Sequence, residues 1–213
     1  MAQGAPKVWG GTTLDVRRDA RRRRLMEVGF ELLGGRGSAA VTVRSVCRHA
    51  KLTDRYFYES FADREELLVA VYDQVAEEAR DVLAGAVANA VTGRGEPEAI
   101  ARAAVESFLG LITGDPRKGR VLLLVPMTDA ALSARAVELM PMFAELIRVQ
   151  LAANGSAVPD APLEERMTAT ALIGALSNLF IRWLDGTLAA SEPELTDYCV
   201  RMLLTAMPLA RPR

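Results

Sequence analysis

The sequence predicts an all-α protein with about nine helices, and three observations support this fold class. Apolar residues recur at spacings of three and four along most of the chain, which is the period of an amphipathic helix. No stretch longer than four residues alternates strictly between apolar and polar, and no Asn-Gly or Asp-Gly pair joins two β-rich runs. Capping residues, prolines and glycines stand where helices would begin and end. Half of the 213 residues are hydrophobic, so the chain can bury a sizeable core.

Three helices are predicted in the N-terminal part of the chain, and each has recognisable ends. The first runs over about 12–34, carries apolar residues at spacings of three and four, and stops at a cluster of glycines. Thr42 is a candidate N-cap for a helix over 43–50, and Thr53 is a candidate N-cap for a helix over about 54–60. A short turn separates these two capped helices.

Six further helices are predicted in the rest of the chain. Asp63 and Glu66 form an Asp-x-x-Glu pair that opens a long helix. Asp115 followed by a proline is an N-cap with proline at the first helical position. Pro141 lies inside a predicted helix, where we expect a kink or a break. The predicted ranges are about 63–91, 97–114, 115–126, 132–153, 162–186 and 191–207.

Positive charge is concentrated at the N-terminal end of the chain. The formal net charge is −1, yet residues 1–60 hold 12 Lys and Arg against 6 Asp and Glu. This asymmetry predicts a basic part that faces a polyanion and an acidic remainder. Arg17, Arg18 and the run Arg21–Arg24 are candidates for contact with backbone phosphate, with Arg17 and Arg21 on one helix face. The alternative is that these arginines form a solvated helix face.

The composition argues against an enzyme, a metal site and a membrane protein. The cysteines Cys47 and Cys199 and the lone His49 cannot build a disulfide framework or a metal-ligand set. The sequence has no Glu-x-x-His pair, no nucleophile–His set and no glycine-rich phosphate loop. The longest uninterrupted apolar run, over 121–127, is far shorter than the ~18 residues that a spanning helix needs. We expect a cytoplasmic protein that is not an enzyme and carries no cofactor, with Cys47 in its core.

Residues 42–61 carry the strongest functional signal. Two short helices joined by a tight turn are the helix-turn-helix pattern, whose second helix lies in the DNA major groove. Arg55 on that helix can donate two hydrogen bonds to guanine O6 and N7, and Tyr56 can reach a thymine methyl or a phosphate. Phe61 is expected to anchor this helix to the next one. The candidate DNA-binding residues are Thr42, Arg44, Thr53, Asp54, Arg55, Tyr56, Tyr58, Arg17 and Arg21.

The stretch from Leu52 to Leu67 resembles the TetR family of transcriptional regulators. That family has a tyrosine, a phenylalanine three residues later, and then a basic residue, an acid and a leucine. Arg64 stands where lysine is more usual. Lys51 stands where a turn glycine is common, so we expect the backbone of the turn to differ slightly. Specific resemblance covers residues 17–70. The matching residues are Tyr58, Phe61, Arg64, Glu65 and Leu67, preceded by Thr42, Val43, Arg44, Ser45 and Val46.

The resemblance implies a homodimer that binds double-stranded DNA. It divides the chain into an N-terminal tail with a helix-turn-helix DNA-binding domain, over 1–62, and a ligand-binding and dimerisation domain, over 63–213. It further implies a repressor that an apolar small molecule releases from a palindromic operator. Two alternatives stay open: a helical adaptor that lacks sequence-specific DNA binding and, less favoured, an enzyme built on a helical bundle.

The apolar helices of the second domain supply candidates for a ligand cavity and for a dimer interface. Methionine and aromatic side chains recur beside few polar ones, as in ligand pockets, although such stripes are usually plain core. Helix 162–186 is apolar on more than one face, so it is expected to form a four-helix bundle between subunits together with helix 191–207. The alternative is a central helix buried within one subunit. The candidate ligand-binding residues are Phe108, Met127, Phe143, Ile147, Thr170, Asn178 and Trp183.

Overall fold

The architecture is that of a computed structural model, which describes residues 14–93, 95–153 and 163–206. Within these ranges the chain is helical and holds no strand, which confirms the all-α prediction. The predicted helix starts near residues 12 and 162 and the predicted helix end near residue 207 lie outside the described residues. The α-helices of the described ranges are α1 (Leu14–Arg36), α2 (Val43–Ala50), α3 (Asp54–Tyr58), α4 (Arg64–Gly93), α5 (Pro97–Gly114), α6 (Pro116–Gly119), α7 (Ala130–Ala153), α8 (Leu163–Leu184) and α9 (Glu192–Ala206).

Two predicted helices differ from the structure. The predicted helix over 115–126 is divided into α6, a π-helical turn over Arg120–Leu124 and a 3-10 turn over Val125–Met127. We expected a kink or a break at Pro141, and the break does not occur, since α7 continues through this residue. Pro141 lies on an exposed face. Solvent can therefore bond to the carbonyl that this proline leaves without a helical donor.

The described helices form two compact units. The first, which we call the head unit, ends at Tyr72, and the second, the body unit, begins at Asp73. Helix α4 therefore contributes its first turns to the head unit and the remainder to the body unit. The functional domain boundary between residues 62 and 63 stays a prediction.

The head unit has an apolar core formed by α1, α2, α3 and the start of α4. Phe57 and Phe61 are fully buried, with ring centroids 5.7 Å apart. Phe61 thus has the core position that the sequence predicts. The other large buried side chains of this core include Leu25, Val28, Leu33, Val41, Val46, Leu67 and Leu68.

Arg64 fastens the chain segment before α2 to the start of α4. Its Nε donates to the carbonyl of Val41 and its Nη2 donates to the carbonyl of Ser38, both at 2.6 Å. The planar fork of a guanidinium can hold two acceptors at once, whereas a lysine ammonium is a point charge. The arginine at the position where the family usually has lysine therefore has a structural role here.

The turn after α2 forces a left-handed backbone on Lys51. Its φ is 56° and its ψ is 40°. The N–H of Leu52 donates to the carbonyl of Cys47 at 3.0 Å, and the N–H of Lys51 donates to that of Arg48 at 3.4 Å. These two bonds form a Schellman motif, in which glycine is the usual residue at the left-handed position. The turn thus keeps the geometry that glycine favours, although the residue is lysine.

Replacing Lys51 with glycine is expected to raise the free energy of unfolding of the head unit by about 0.5–1 kcal/mol. A left-handed conformation costs an L side chain ~1–2 kcal/mol, and the greater freedom of glycine in the unfolded chain offsets part of this gain. Thermal unfolding followed by circular dichroism measures the difference. Lys51→Ala removes the same charge but keeps the strain, so equal stability of the two variants would contradict the prediction.

The body unit is organised around a core between α5, α8 and α9. Its buried members include Leu109, Ile112, Phe180, Leu195 and Cys199. A methyl group on Gly119 would come within 3.1 Å of both the Ile112 and the Leu184 side chains. The chain after α5 therefore approaches α8 closely at this glycine.

Helix α8 has one buried face and one exposed face. Ala169, Leu172, Leu176 and Phe180 are buried at spacings of three and four. Among the described helices, α8 is long and apolar enough to cross a membrane, although a core helix passes the same test and only 22% of its most apolar stretch is buried. Much of its apolar surface is left uncovered within the body unit.

Candidate nucleic-acid interface

Helix α3 is held by one buried aromatic and turns its N-terminal residues to solvent. Phe57 lies in the head core, while Thr53, Asp54 and Arg55 are exposed. Thr53 occupies the N-cap position with an extended backbone, as predicted, but its side chain makes no capping hydrogen bond. The hydroxyl of Thr53 is therefore not committed to the helix end. Three of the predicted base-contacting side chains thus lie together on an accessible surface.

The two remaining aromatic candidates on α3 differ in accessibility. Tyr58 is 60% exposed and its ring meets the Phe57 ring edge-on at 5.5 Å. Tyr56 is half-buried, and the Arg21 guanidinium lies 4.4 Å from its ring centroid. Stacking of this kind fixes the orientation of the ring. Tyr58 can reach a phosphate freely, whereas Tyr56 can offer one edge of its ring.

Helix α2 begins with a complete capping box. The Thr42 Oγ1 accepts from the N–H of Ser45 at 3.0 Å, and the Ser45 Oγ accepts from the N–H of Thr42 at 2.9 Å. Thr42 and Arg44 are both exposed at this helix start. Because the N-terminus of a helix carries partial positive charge, an exposed arginine beside it favours an anion such as phosphate.

Several arginines of α1 hold the end of α3 rather than projecting freely. Arg18 donates to the carbonyl of Glu59 at 2.9 Å, and Arg22 donates to that of Ser60 at 2.5 Å. The Arg22 guanidinium also lies 4.1 Å from the Phe61 ring centroid. Arg21 is ion-paired with the Glu59 carboxylate at 3.5 Å, and Arg17 is half-buried. Arg18, Arg21 and Arg22 thus make contacts within the head unit. These arginines therefore form neither a row of free phosphate ligands nor a fully solvated helix face.

The structure also shows two basic residues that were not among the predicted DNA contacts. Arg48 and Lys51 are exposed, and with Arg44 they follow a spacing of four and then three along α2 and its turn. Residues at this spacing share one face of a helix. The spacing of these basic residues is visible in the sequence, but Arg48 and Lys51 are not part of the motif from which the DNA contacts are predicted.

Both cysteines are buried, and the histidine lies on the surface next to a backbone carbonyl. Burial raises the pKa of Cys47 to about 11, and a hydrogen bond with the Asp54 side chain contributes. Burial likewise raises the pKa of Cys199 to about 11. His49 is exposed, and its Nδ1 lies 2.7 Å from the carbonyl oxygen of Ser45. Within the described ranges, no group of three or more His, Cys, Asp or Glu side chains could hold a metal ion.

Four of the seven predicted ligand-binding residues lie in or beside the body interior. Phe108 packs against Phe180 with ring centroids 4.9 Å apart, and Ile147 and Trp183 pack against the same core. Phe143 is half-buried on α7. The Trp183 Nε1 donates to the carbonyl of Ala190 at 2.8 Å, so this side chain can offer a ligand only its ring.

The other three predicted ligand-binding residues lie on the surface of the body unit. Met127 is 65% exposed. Thr170 and Asn178 are on the exposed face of α8, opposite its buried stripe, and the Thr170 hydroxyl donates to the carbonyl of Arg166 at 2.8 Å. Their side chains are therefore not directed into the interior of this unit, and their contact with a ligand stays a prediction.

A helix-turn-helix with an exposed second helix and a basic flank defines the head unit as a DNA-binding module. Residues 25–71 match the bacterial regulatory proteins of the tetR family. The match confirms the resemblance over this segment of the chain. No curated protein matches the chain significantly.

Several solved structures share the fold over most of the chain. A tetR-family transcriptional regulator from Streptomyces coelicolor has a TM-score of 0.71 at 15% identity, over 90% of this chain and 82% of that chain. The regulator FadR from Bacillus subtilis, in complex with stearoyl-CoA, has a TM-score of 0.69 at 13% identity, over 86% and 98%. The multidrug binding protein EbrR, complexed with imidazole, has a TM-score of 0.63 at 23% identity, over 85% and 94%. Identities this low establish a common fold.

Proposed function

We propose that the protein is a cytoplasmic repressor that binds a palindromic DNA operator as a homodimer and is released by an apolar small molecule. The observation that carries this proposal is the exposure of Thr53, Asp54 and Arg55 on a helix anchored by the buried Phe57. These residues provide donors and acceptors for base edges, and the anchor keeps their spacing fixed.

The proposed DNA contacts divide into base readers and phosphate ligands. Arg55 is the principal base reader, with Thr53, Asp54 and Tyr56 beside it. The proposed phosphate ligands are Thr42, Arg44, Tyr58, Arg17 and Arg21, and we add Arg48 and Lys51 because they are exposed cations of the same unit. Two such DNA-binding domains in a dimer would contact half-sites ~34–36 Å apart, or a multiple of that spacing.

The proposed dimer interface is the exposed face of α8 together with α9. Gly174 has no other side chain or distant backbone within 4 Å of the place where a Cβ would stand, and Ala171 and Ala175 beside it are exposed. Small residues permit close approach of a second helix. Thr170 and Asn178 belong to this face and are better interpreted as dimer contacts than as ligand contacts. Covering it by a partner would account for the apolar surface that α8 leaves open.

The proposed ligand is an apolar molecule bound among Phe108, Phe143, Ile147 and Trp183. Among proteins of the same fold, FadR forms a complex with stearoyl-CoA and EbrR is a multidrug binding protein. Aromatic surroundings suit ligands of this kind. Ligand binding would affect DNA binding through the part of α4 that belongs to the body unit. Asp73 on α4 accepts from the Arg135 fork of α7 at 2.7 and 2.9 Å, so movement of α7 would be passed to α4.

The Arg55→Ala variant is expected to lose ~1–3 kcal/mol of binding free energy for the operator and to relax base preference at one position of each half-site. Removing a bidentate guanine contact has this local effect, whereas losing a phosphate ligand weakens all sequences alike. Mobility-shift titrations at fixed salt, against DNA from upstream of the gene and against random duplex, measure the binding free energy and the base preference. Arg44→Ala is the matched control, because it removes a proposed phosphate ligand.

The same titrations separate the regulator from the adaptor alternative. A sequence-specific regulator binds its operator more tightly than random DNA, and its affinity falls steeply with salt. Equal affinity of the wild-type protein for both duplexes would contradict the proposed function and favour the adaptor.

A further inference from the structure

Glu59 lies where an acidic residue is unfavourable for the proposed function. It follows the last residue of α3, where the free carbonyls of a helix end disfavour a negative charge. Its carboxylate is also next to Arg55, so it would repel the DNA phosphates that the head unit approaches. A charge in such a place calls for a compensating role.

The Glu59 carboxylate joins arginines from two helices. Its Oε1 accepts from the Arg55 Nε at 3.0 Å, and its Oε2 lies 3.5 Å from the Arg21 Nη2. The Glu59 backbone carbonyl accepts from Arg18 at 2.9 Å. Arg21 is itself stacked on Tyr56. Glu59 is therefore fixed to α1 at both its backbone and its side chain.

Arg55 is the more exposed partner of its ion pair with Glu59. The Arg55 side chain is 84% exposed, while that of Glu59 is only 35% exposed. With its Nε bonded to Glu59, the guanidinium keeps the Nη1 and Nη2 donors for another partner. An end-on guanidinium with two parallel donors matches O6 and N7 of guanine.

We propose that Glu59 is a positioning residue that presets the Arg55 guanidinium for a guanine, and so sets the specificity of the DNA-binding site at the expense of general DNA affinity. This inference rests on the proposed function. It predicts two opposite effects of removing the carboxylate. Discrimination at one base pair falls because Arg55 must be ordered during binding, and affinity for random DNA rises because one negative charge is lost.

The test begins with selection of binding sites by the wild-type protein from a library of random duplexes. Arg55→Ala then identifies the base pair that depends on Arg55. Dissociation constants are measured at one salt concentration for the selected site, for the site changed at that base pair, and for random DNA. The proteins compared are the wild type, Glu59→Ala, Glu59→Gln and Glu27→Ala, and thermal unfolding shows that each is folded.

We expect Glu59→Ala to lower discrimination at the Arg55-dependent base pair about two- to tenfold, which is the cost of ordering one long side chain. Glu59→Gln keeps an acceptor for the Arg55 Nε, so it should lose less discrimination at this base pair. Its affinity for random DNA should equal that of Glu59→Ala, because both variants remove the same charge. Glu27 pairs with Arg24 on α1 at 3.1 Å. Glu27→Ala therefore changes the net charge equally and should leave discrimination unchanged.

A double variant, Arg55→Ala with Glu59→Ala, should discriminate no worse at that base pair than Arg55→Ala, because Glu59 acts through Arg55. Wild-type discrimination in both folded Glu59 variants, or an equal loss at every base pair, would overturn the inference and leave the proposed function standing. If Glu59→Ala does not fold, Glu59→Gln decides by the same criterion. A wild-type protein that selects no consensus would overturn the proposed function and this inference with it.

Discussion

The Phe57→Ala variant is expected to lose about 3–5 kcal/mol of unfolding free energy in the head unit, the usual cost of deleting a buried phenylalanine ring. Phe57 is fully buried and contacts the Phe61 ring. Its removal leaves a cavity beneath α3, which has five residues and cannot persist by itself. We expect DNA binding to be lost at temperatures where the wild type still binds.

Thermal unfolding followed by circular dichroism, with mobility shifts at the same temperatures, measures this effect. The body unit has its own core, so most helical signal should survive the first transition. The matched control is Tyr58→Ala, since Tyr58 is the neighbouring aromatic on α3 but is exposed. It loses one edge-on ring contact, worth about 1 kcal/mol. Equal melting of Phe57→Ala and Tyr58→Ala would contradict the proposed anchoring role.

The helix bounds were predicted best where a local signal marks both ends. Helix α2 has the predicted range over 43–50, because the Thr42 cap and the turn after Ala50 depend on neighbouring residues. Helix α5 also has its predicted range, from Pro97 to Gly114. The irregular turns after α6 could not be predicted, because no local signal marks them. They follow Gly119, where the chain lies close to Ile112 and α8.

The candidate site was predictable in outline but not in the roles of single arginines. A motif locates the exposed start of α3, since its pattern is local. Whether an arginine of α1 contacts solvent or another helix depends on how α1 packs, which the local sequence does not specify. Arg21, a proposed phosphate ligand, also stacks on Tyr56 and pairs with Glu59, 38 residues along the chain.

The two faces of α8 show the same limitation. Thr170 and Asn178 lie on a helix with apolar residues around most of its circumference, so periodicity could not distinguish the inner face from the outer one. In the structure, Leu172 and Leu176 face the core, and Thr170 and Asn178 are exposed. Long-range packing decides this question, and the exposed face then becomes the candidate dimer interface.

The Gly174→Arg variant is expected to be monomeric and to bind the operator at least ~100-fold more weakly, because linked binding of two half-sites contributes 10²–10⁴ in affinity. Gly174 has open space around it within the subunit, so the arginine should not disturb the fold. A helical arginine is also more favourable than a glycine in a helix interior. Across a close helix–helix contact, however, its side chain would hold two subunits apart.

Sedimentation velocity and mobility-shift titration of the same samples separate loss of the dimer from loss of the fold. Gly110→Arg is the matched control, since Gly110 is also an exposed helical glycine, on α5, with open space around it. It adds the same charge and the same side chain, and should remain a dimer with wild-type operator affinity. A dimeric Gly174→Arg protein with unchanged affinity would place the subunit contact elsewhere, and the apolar surface of α8 would then need another partner. If both variants become monomeric, added charge rather than the close approach of α8 would be responsible.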